Sequence, residues 1–171
     1  MQAVSVHGRT RSQRYGGEAD WNVIDQCAKA ISIPVIGNGD ISSGIDVQKR
    51  REESSVSGIM IGRAAMQNPW VFREAKHYLK TGEQLPRVCL EERWELIAKH
   101  CREAVQWGRY GNEKQTLMAM RSRLMAYSKG LPCGKRLRQR MSQIVSINEI
   151  DLMAEEHINY NKFKSENLTV V

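Results

Sequence analysis

The chain has 171 residues, 41% of them hydrophobic and 26% charged, with a formal net charge of +7. That is the composition of a soluble globular protein, long enough for one or two domains with cores of their own. No apolar run approaches the roughly 20 residues needed to span a bilayer, and Met1-Gln-Ala-Val-Ser-Val6 lacks the basic and then apolar pattern of a secretory signal, so a cytoplasmic location with no membrane partner is expected. The cysteines Cys27, Cys89, Cys101 and Cys133 include no C-x-x-C pair. Neither a metal site nor a disulfide framework is indicated, and reduced, mostly buried thiols are expected.

In chain order, Ala3-Val-Ser-Val6 reads as a strand, followed at once by His7-Gly-Arg-Thr-Arg11 and a polar, glycine-rich loop. Asp20 is a helix N-cap, with Trp21, Ile24, Ala28 and Ile31 on one face. A second strand at Ile33 to Gly37 breaks at Asn38-Gly-Asp40. Residues 41–54 read as an outer helix with a thin apolar stripe. A third strand, Ser57 to Ile61, breaks at Gly62-Arg63, and Asn68-Pro69 reads as an N-cap with proline at the first helical position, opening a helix that runs to Gly82. Strands about 25 to 30 residues apart with helices between them are the spacing of βαβ units.

After Pro86 the strands disappear. Trp94, Ile97, Ala98, Cys101, Ala104 and Val105 recur at helical spacing to about Gly108. A second helix, Gln115 to Lys129, turns Leu117, Met120, Leu124 and Tyr127 inward. A short basic third carries Leu137, Met141 and Ile144, and Ser146-Ile-Asn-Glu149 is a capping box opening a fourth helix through about Glu156. The expected division is 1–85 as an α/β part, 86–158 as a small all-helical domain and 159–171 as a frayed tail.

Two features carry chemistry. The first is a set of three strand ends, each bearing polar groups: His7 and Arg9, then Asn38, Gly39 and Asp40, then Gly62 and Arg63. Glycines let backbone amides approach a ligand, Arg63 offers a planar fork matched to phosphate oxygens, and α/β barrels place ligands at the C-terminal ends of their strands, with phosphate between the last two. Each piece alone has a plainer reading, since Asn-Gly and Gly-Asp are ordinary turn chemistry and an isolated arginine is more often a surface ion pair. The second feature is charge distribution. Lys114 to Asn148 holds eight Lys or Arg and no Asp or Glu, whereas the remaining chain has 18 basic against 19 acidic residues. The positive charge is one block, the footprint of a polyanion-binding face, or else a solvated helical surface.

Val6-His-Gly-Arg-Thr-Arg11 with Gln13 and Tyr15, Ala19-Asp-Trp21, Ile33-Pro-Val-Ile-Gly-Asn-Gly-Asp-Ile41, Gly58-Ile-Met-Ile-Gly-Arg-Ala64 through Asn68-Pro-Trp70, Arg121-Ser-Arg123 and Tyr127-Ser-Lys-Gly-Leu-Pro132 together resemble the C-terminal portion of a tRNA-dihydrouridine synthase of the bacterial branch. The resemblance implies the last three βα units of an FMN-binding (β/α)8 TIM barrel followed by a helical tRNA-binding domain. It implies an oxidoreductase that reduces the C5–C6 double bond of uridine in tRNA, with NADPH as reductant. Position by position, it implies that His7, Asn38, Gly39, Asp40, Gly62 and Arg63 hold FMN, and that Arg9 lies near the flavin or substrate. For RNA the residues implied are Arg121, Arg123, Lys129, Lys135, Arg136, Arg138 and Arg140.

The family's proton-donating cysteine and flavin-binding lysine belong to the front of the barrel and have no counterpart in these 171 residues, so no catalytic residue is assigned here. Cys27 and Cys133 do not match the catalytic motif. Three of eight strands cannot close a barrel, so an incomplete chain needing the missing N-terminal half is expected, with the Val4 and Val6 edge exposed. Two other readings are a non-catalytic RNA-binding fragment and a flavin- or phosphate-binding barrel acting on small molecules. The acid-free basic block argues against the latter.

Overall fold

A computed structural model describes residues 1–14, 16–108 and 111–168. Tyr15 of the first motif lies outside the described residues. The chain divides into two compact units, one up to Pro86 and one from Arg87 onward.

The first unit is a three-stranded parallel sheet in the order β1 (Val4–His7), β2 (Val35–Asn38), β3 (Gly58–Met60). Between the strands run α1 (Trp21–Ala30) and α2 (Gly44–Glu53), and after β3 come the short α3 (Arg63–Gln67) and α4 (Val71–Thr81). The helices start where the sequence supplies an acceptor. The Asp20 carboxylate takes the amides of Asn22 and Val23, and the Ser43 hydroxyl takes that of Asp46. Gly82 ends α4 in the left-handed region at φ 73°.

The strands sort their side chains by parity. Val6 and Ile59 face the helices and pack with Trp21, Ile24, Ile41, Val47 and Ala75. Register then places Ser5, Ile36 and Gly58 in one row of the opposite face and His7, Asn38 and Met60 in the next. That face is polar and open at its end, with Met60 49% exposed. Gly37 is required by packing, because a Cβ there would lie 2.7 Å from the Trp21 ring.

Several local expectations are corrected. β1 does lie at an edge of the sheet among the described residues, but the Val4 and Val6 side chains are half-buried, because parity turns Val6 into the helix layer. Ile31 lies just beyond α1 in extended backbone and is exposed. Asn68 is the C-cap of α3 and not the N-cap of the next helix. Its side-chain amide donates to Glu74 instead, and Trp70 takes the N-cap place of α4.

The described residues of the second unit form four helices: α5 (Leu90–Gln106), α6 (Glu113–Tyr127), α7 (Gly134–Met141) and α8 (Ile147–Leu168). Its core holds the residues foreseen from helical spacing, Trp94, Ile97, Ala98 and Cys101 from α5, Leu117, Met120, Leu124 and Tyr127 from α6, then Leu137, Met141 and Ile144, with Leu131, Ile150 and Met153 added and the foreseen Ala104 and Val105 only partly buried against it. α6 opens with a reciprocal capping box between Asn112 and Gln115. The box foreseen at Ser146 is offset: Ser146 accepts the Glu149 amide, but the Glu149 carboxylate takes the amide of Val145.

α8 runs to Leu168, so the segment from Asn159 is not a frayed tail among the described residues. Its extra turns are held by Ile158 packed on the core, by Asn161 donating to the His157 carbonyl, and by a 3.2 Å ion pair from Lys162 to Glu91 on α5. The cysteines are all free thiols, yet only Cys101 is buried, whereas Cys89 and Cys133 are exposed because both occupy helix N-cap positions at the surface.

Candidate functional site

The polar groups foreseen at the three strand ends form two hydrogen-bonded sets, one joining His7, Asn38 and the Met60 carbonyl and one joining Arg9, Asp40 and Arg63. The His7 Nδ1 lies 3.2 Å from the Asn38 carbonyl, and the Asn38 side-chain amide donates to the Met60 carbonyl at 2.8 Å. These contacts cross all three strands in the row that ends the open sheet face. They fix the imidazole ring and the Asn38 amide on that face.

After β2 the chain turns sharply through Gly39 at φ 140° and Asp40 at φ 51°. Gly39 alone tolerates its conformation, and it also lies against Ala19, where a Cβ would approach to 2.4 Å. Its carbonyl accepts the Trp21 indole N–H at 3.0 Å, tying the turn to the start of α1. Asp40 pays the conformational cost of a left-handed residue and places its carboxylate between two arginines.

That carboxylate is the centre of the second set. One oxygen accepts Arg9 at 2.7 Å and the Ala19 amide at 2.8 Å, and the other accepts Arg63 at 3.2 Å. The Arg9 hydrogen bond, helped by the Ala19 amide and the Arg63 charge, holds the Asp40 carboxyl below the usual carboxylate range against the opposing effect of burial. The Arg9 side chain is only 2% exposed, and it also donates to the carbonyls of Gly16 and Gly17. It therefore closes the base of the 9–18 loop, while its Nη1 is buried with no hydrogen-bond partner among the described residues.

Arg63 differs from Arg9 in kind. Its side chain is 48% exposed and donates to Asp40, and it follows Gly62, where a Cβ would meet only the Asn38 amide nitrogen at 3.8 Å. A half-exposed guanidinium oriented by a carboxylate at a strand end suits a doubly charged oxyanion. The Asp40 side chain, an acceptor only and already engaged three times, suits orienting that guanidinium rather than touching phosphate.

A dihydrouridine synthase (Dus) family profile matches residues 1–165. The chain belongs to that family. It is 41% identical over 132 residues to a "Probable tRNA-dihydrouridine synthase" of Rickettsia bellii, covering 77% of this chain and 40% of the relative. It is 40% identical over 144 residues to "tRNA-dihydrouridine synthase B" of Pseudomonas aeruginosa, covering 84% of this chain and 42% of the relative. A third match, "tRNA-dihydrouridine synthase B" of Klebsiella pneumoniae, is 42% identical over 114 residues, 67% of this chain and 35% of the relative. The chain thus spans about two fifths of the length of these relatives.

In the helical unit the basic block divides by environment. Arg123, Lys129, Lys135, Arg136 and Arg138 are exposed. Arg121 is half-buried, donates to the Ile144 carbonyl and keeps its Nε buried without a partner among the described residues, so it braces α6 against the segment after α7. Arg140 is committed to Glu156 at 2.6 Å. Cys101 is fully buried in the helical core, and that burial pushes its thiol up to about 12. Among the described residues no group of His, Cys, Asp and Glu could hold a metal, and no helix is long and apolar enough to cross a membrane.

The sequence did not disclose the Arg9–Asp40–Arg63 relay. An Arg two residues past a strand end and an Asp two residues past the next are the only signals for it, and only the parallel register makes them neighbours. Asp at a position after Asn-Gly is also common in plain turns, which conceals its role.

Proposed function

We propose that the chain supplies the C-terminal part of the FMN site and the tRNA-gripping helical domain of a cytoplasmic tRNA-dihydrouridine synthase. The first unit corresponds to the last three βα units of the family's TIM barrel, and the second to its RNA-binding domain. The observation that carries this reading is the half-exposed Arg63, aimed by Asp40 at the strand ends beside Gly62. Arg63 and the backbone at Gly62 would hold the FMN phosphate, Asp40 and Arg9 would fix Arg63 and the loop, and His7 and Asn38 would line the open sheet face toward the flavin.

The chemistry a bound FMN supplies is hydride transfer from NADPH to the C5–C6 double bond of a tRNA uridine. The chain's own residues would orient and neutralise: Arg63 would offset the phosphate charge, and His7 would be held in place by its Nδ1–H donated to the Asn38 carbonyl. The general acid belongs to a cysteine outside these 171 residues, and three parallel strands leave the barrel open. Alone, the chain is expected to show neither a flavin absorbance spectrum after purification nor NADPH-dependent tRNA reduction. If both were observed, the incomplete-chain reading would be wrong.

A second reading, an RNA-binding fragment without catalysis, is favoured by one observation: the helical unit carries its own closed core beneath exposed Lys135, Arg136 and Arg138. It expects tRNA binding that weakens steeply with added salt and is lost when Arg136, Arg138 and Arg140 are changed together to Ala. Unchanged binding in that variant would place the RNA surface elsewhere.

A further inference from the structure

We propose that the cleft between α7 and α8 is a pocket for a single unstacked RNA base. The proposal rests on the reading of the helical unit as an RNA-binding domain, and it adds a specific place and a preference for unpaired RNA. The cleft has a volume of about 240 Å³ and takes Arg136, Leu137 and Arg140 from α7 and Glu156, His157 and Tyr160 from α8. Drug-sized ligands occupy sites of about 300–1,000 Å³. This hollow is matched to one ring system, with the sugar and phosphate left outside.

Its walls have the chemistry a base requires. Leu137 and His157 are buried and form the floor. The imidazole cannot turn, because Nδ1 accepts the Trp94 indole N–H at 3.0 Å and Nε2 donates to the Pro132 carbonyl at 2.9 Å. Tyr160, 52% exposed, offers an aromatic face at the mouth, as single-strand binders do for stacking. The Arg140–Glu156 pair at 2.6 Å presents both donors and acceptors to a base edge. Exposed Arg136 stands at the rim, within the acid-free block where the backbone phosphate of the same nucleotide would lie.

A second hollow of about 250 Å³ lies on the other side of the same ion pair, lined by Glu149, Glu156, Leu152 and Met153 among others. Two carboxylates and no aromatic ring make it a poor place for a nucleotide. The contrast selects the Tyr160 side. It also makes Arg140 a wall of the pocket rather than a free phosphate contact.

The test compares an unstructured RNA oligonucleotide with a hairpin of the same length, each fluorescently labelled, binding to the full chain by anisotropy. Tyr160→Ala is expected to weaken the unstructured RNA about tenfold or more and to leave the hairpin stem unchanged, whereas Tyr160→Phe keeps both affinities. Tyr160 is half-exposed at the surface, so circular dichroism of the Ala variant should match the wild type. Equal loss on both RNAs, or loss on neither, would overturn the pocket while leaving the RNA-binding reading intact. Failure of the wild-type chain to bind either RNA would overturn both.

Discussion

The two units reach stability by different routes. The helical unit closes fourteen buried residues around one centre, with Trp94, Leu117, Leu124 and Met141 wholly enclosed. The sheet unit buries a smaller cluster against its helices and leaves the row of His7, Asn38 and Met60 on an open face. In the first, hydrophobic burial dominates and charge lies on the surface. In the second, one carboxylate joins two arginines and the Ala19 amide beside the smaller core. A parallel sheet is normally covered on both faces, so a one-sided three-stranded sheet places its specificity where its burial is least.

Perturbing each unit at its centre should separate these modes. The largest effect is expected from Leu124→Ala, which removes a fully enclosed side chain and should cost about 2–5 kcal/mol, read by urea denaturation with hydrogen exchange reporting the helical unit. Asp40→Ala should cost the sheet unit about 3 kcal/mol, because it leaves the buried Arg9 guanidinium without its counter-charge. Exchange should rise in the 9–18 loop and at the start of α1, and leave the helical core protected. A loss confined to Arg63 would show that Arg9 is not held through Asp40.

Gly37→Ala should cost about 1–3 kcal/mol by forcing a methyl into the Trp21 ring. It should quench or shift the Trp21 emission while leaving Trp94 unchanged. Restoration by a smaller residue at Trp21 would identify the clash as the cause.

Acid should also distinguish the units. Burial lowers the pKa of His157 from 6.5, with Arg140 acting in the same direction and the Pro132 hydrogen bond opposing it. The neutral ring is required because Nδ1 accepts the Trp94 proton. A folded-state pKa below the unfolded one means that this stability is present above pH 6.5 and lost as pH falls through the lower folded value. Asp40, depressed from 3.8 chiefly by Arg9, keeps its contribution until pH falls below that value. On acidification the helical unit should therefore weaken first. The weakening should shrink in His157→Gln, measured by thermal denaturation across pH, and a loss that begins in the sheet unit would contradict the assignment.

Periodicity made most of the fold legible. Apolar residues at helical spacing named Leu117, Met120, Leu124 and Tyr127, all of which α6 buries, but not Thr116, a polar residue buried beside them. The strands were legible as apolar runs ending in glycine. Boundaries failed where tertiary contacts decide them: α8 outran its expected end because Lys162 and Asn161 find partners that no local pattern encodes, and Asn68 preferred Glu74 to a cap. At the candidate site the residues were legible but their division of labour was not. Arg9 and Arg63 look alike in sequence, and only burial separates the 2% exposed clamp from the 48% exposed guanidinium. Charge density marked the α7 region, yet it could not show that Arg121 turns inward or that Arg140 pairs with Glu156.

The proposed flavin-phosphate clamp at the strand ends is built around Arg63. Joining the chain to the N-terminal portion of the Pseudomonas aeruginosa relative and titrating FMN and riboflavin, each followed by quenching of flavin fluorescence, tests it directly. Arg63→Ala should weaken FMN by about tenfold and leave riboflavin unchanged, the loss of one charge-assisted contact to phosphate. Equal affinities for FMN in the variant and the parent would contradict the clamp.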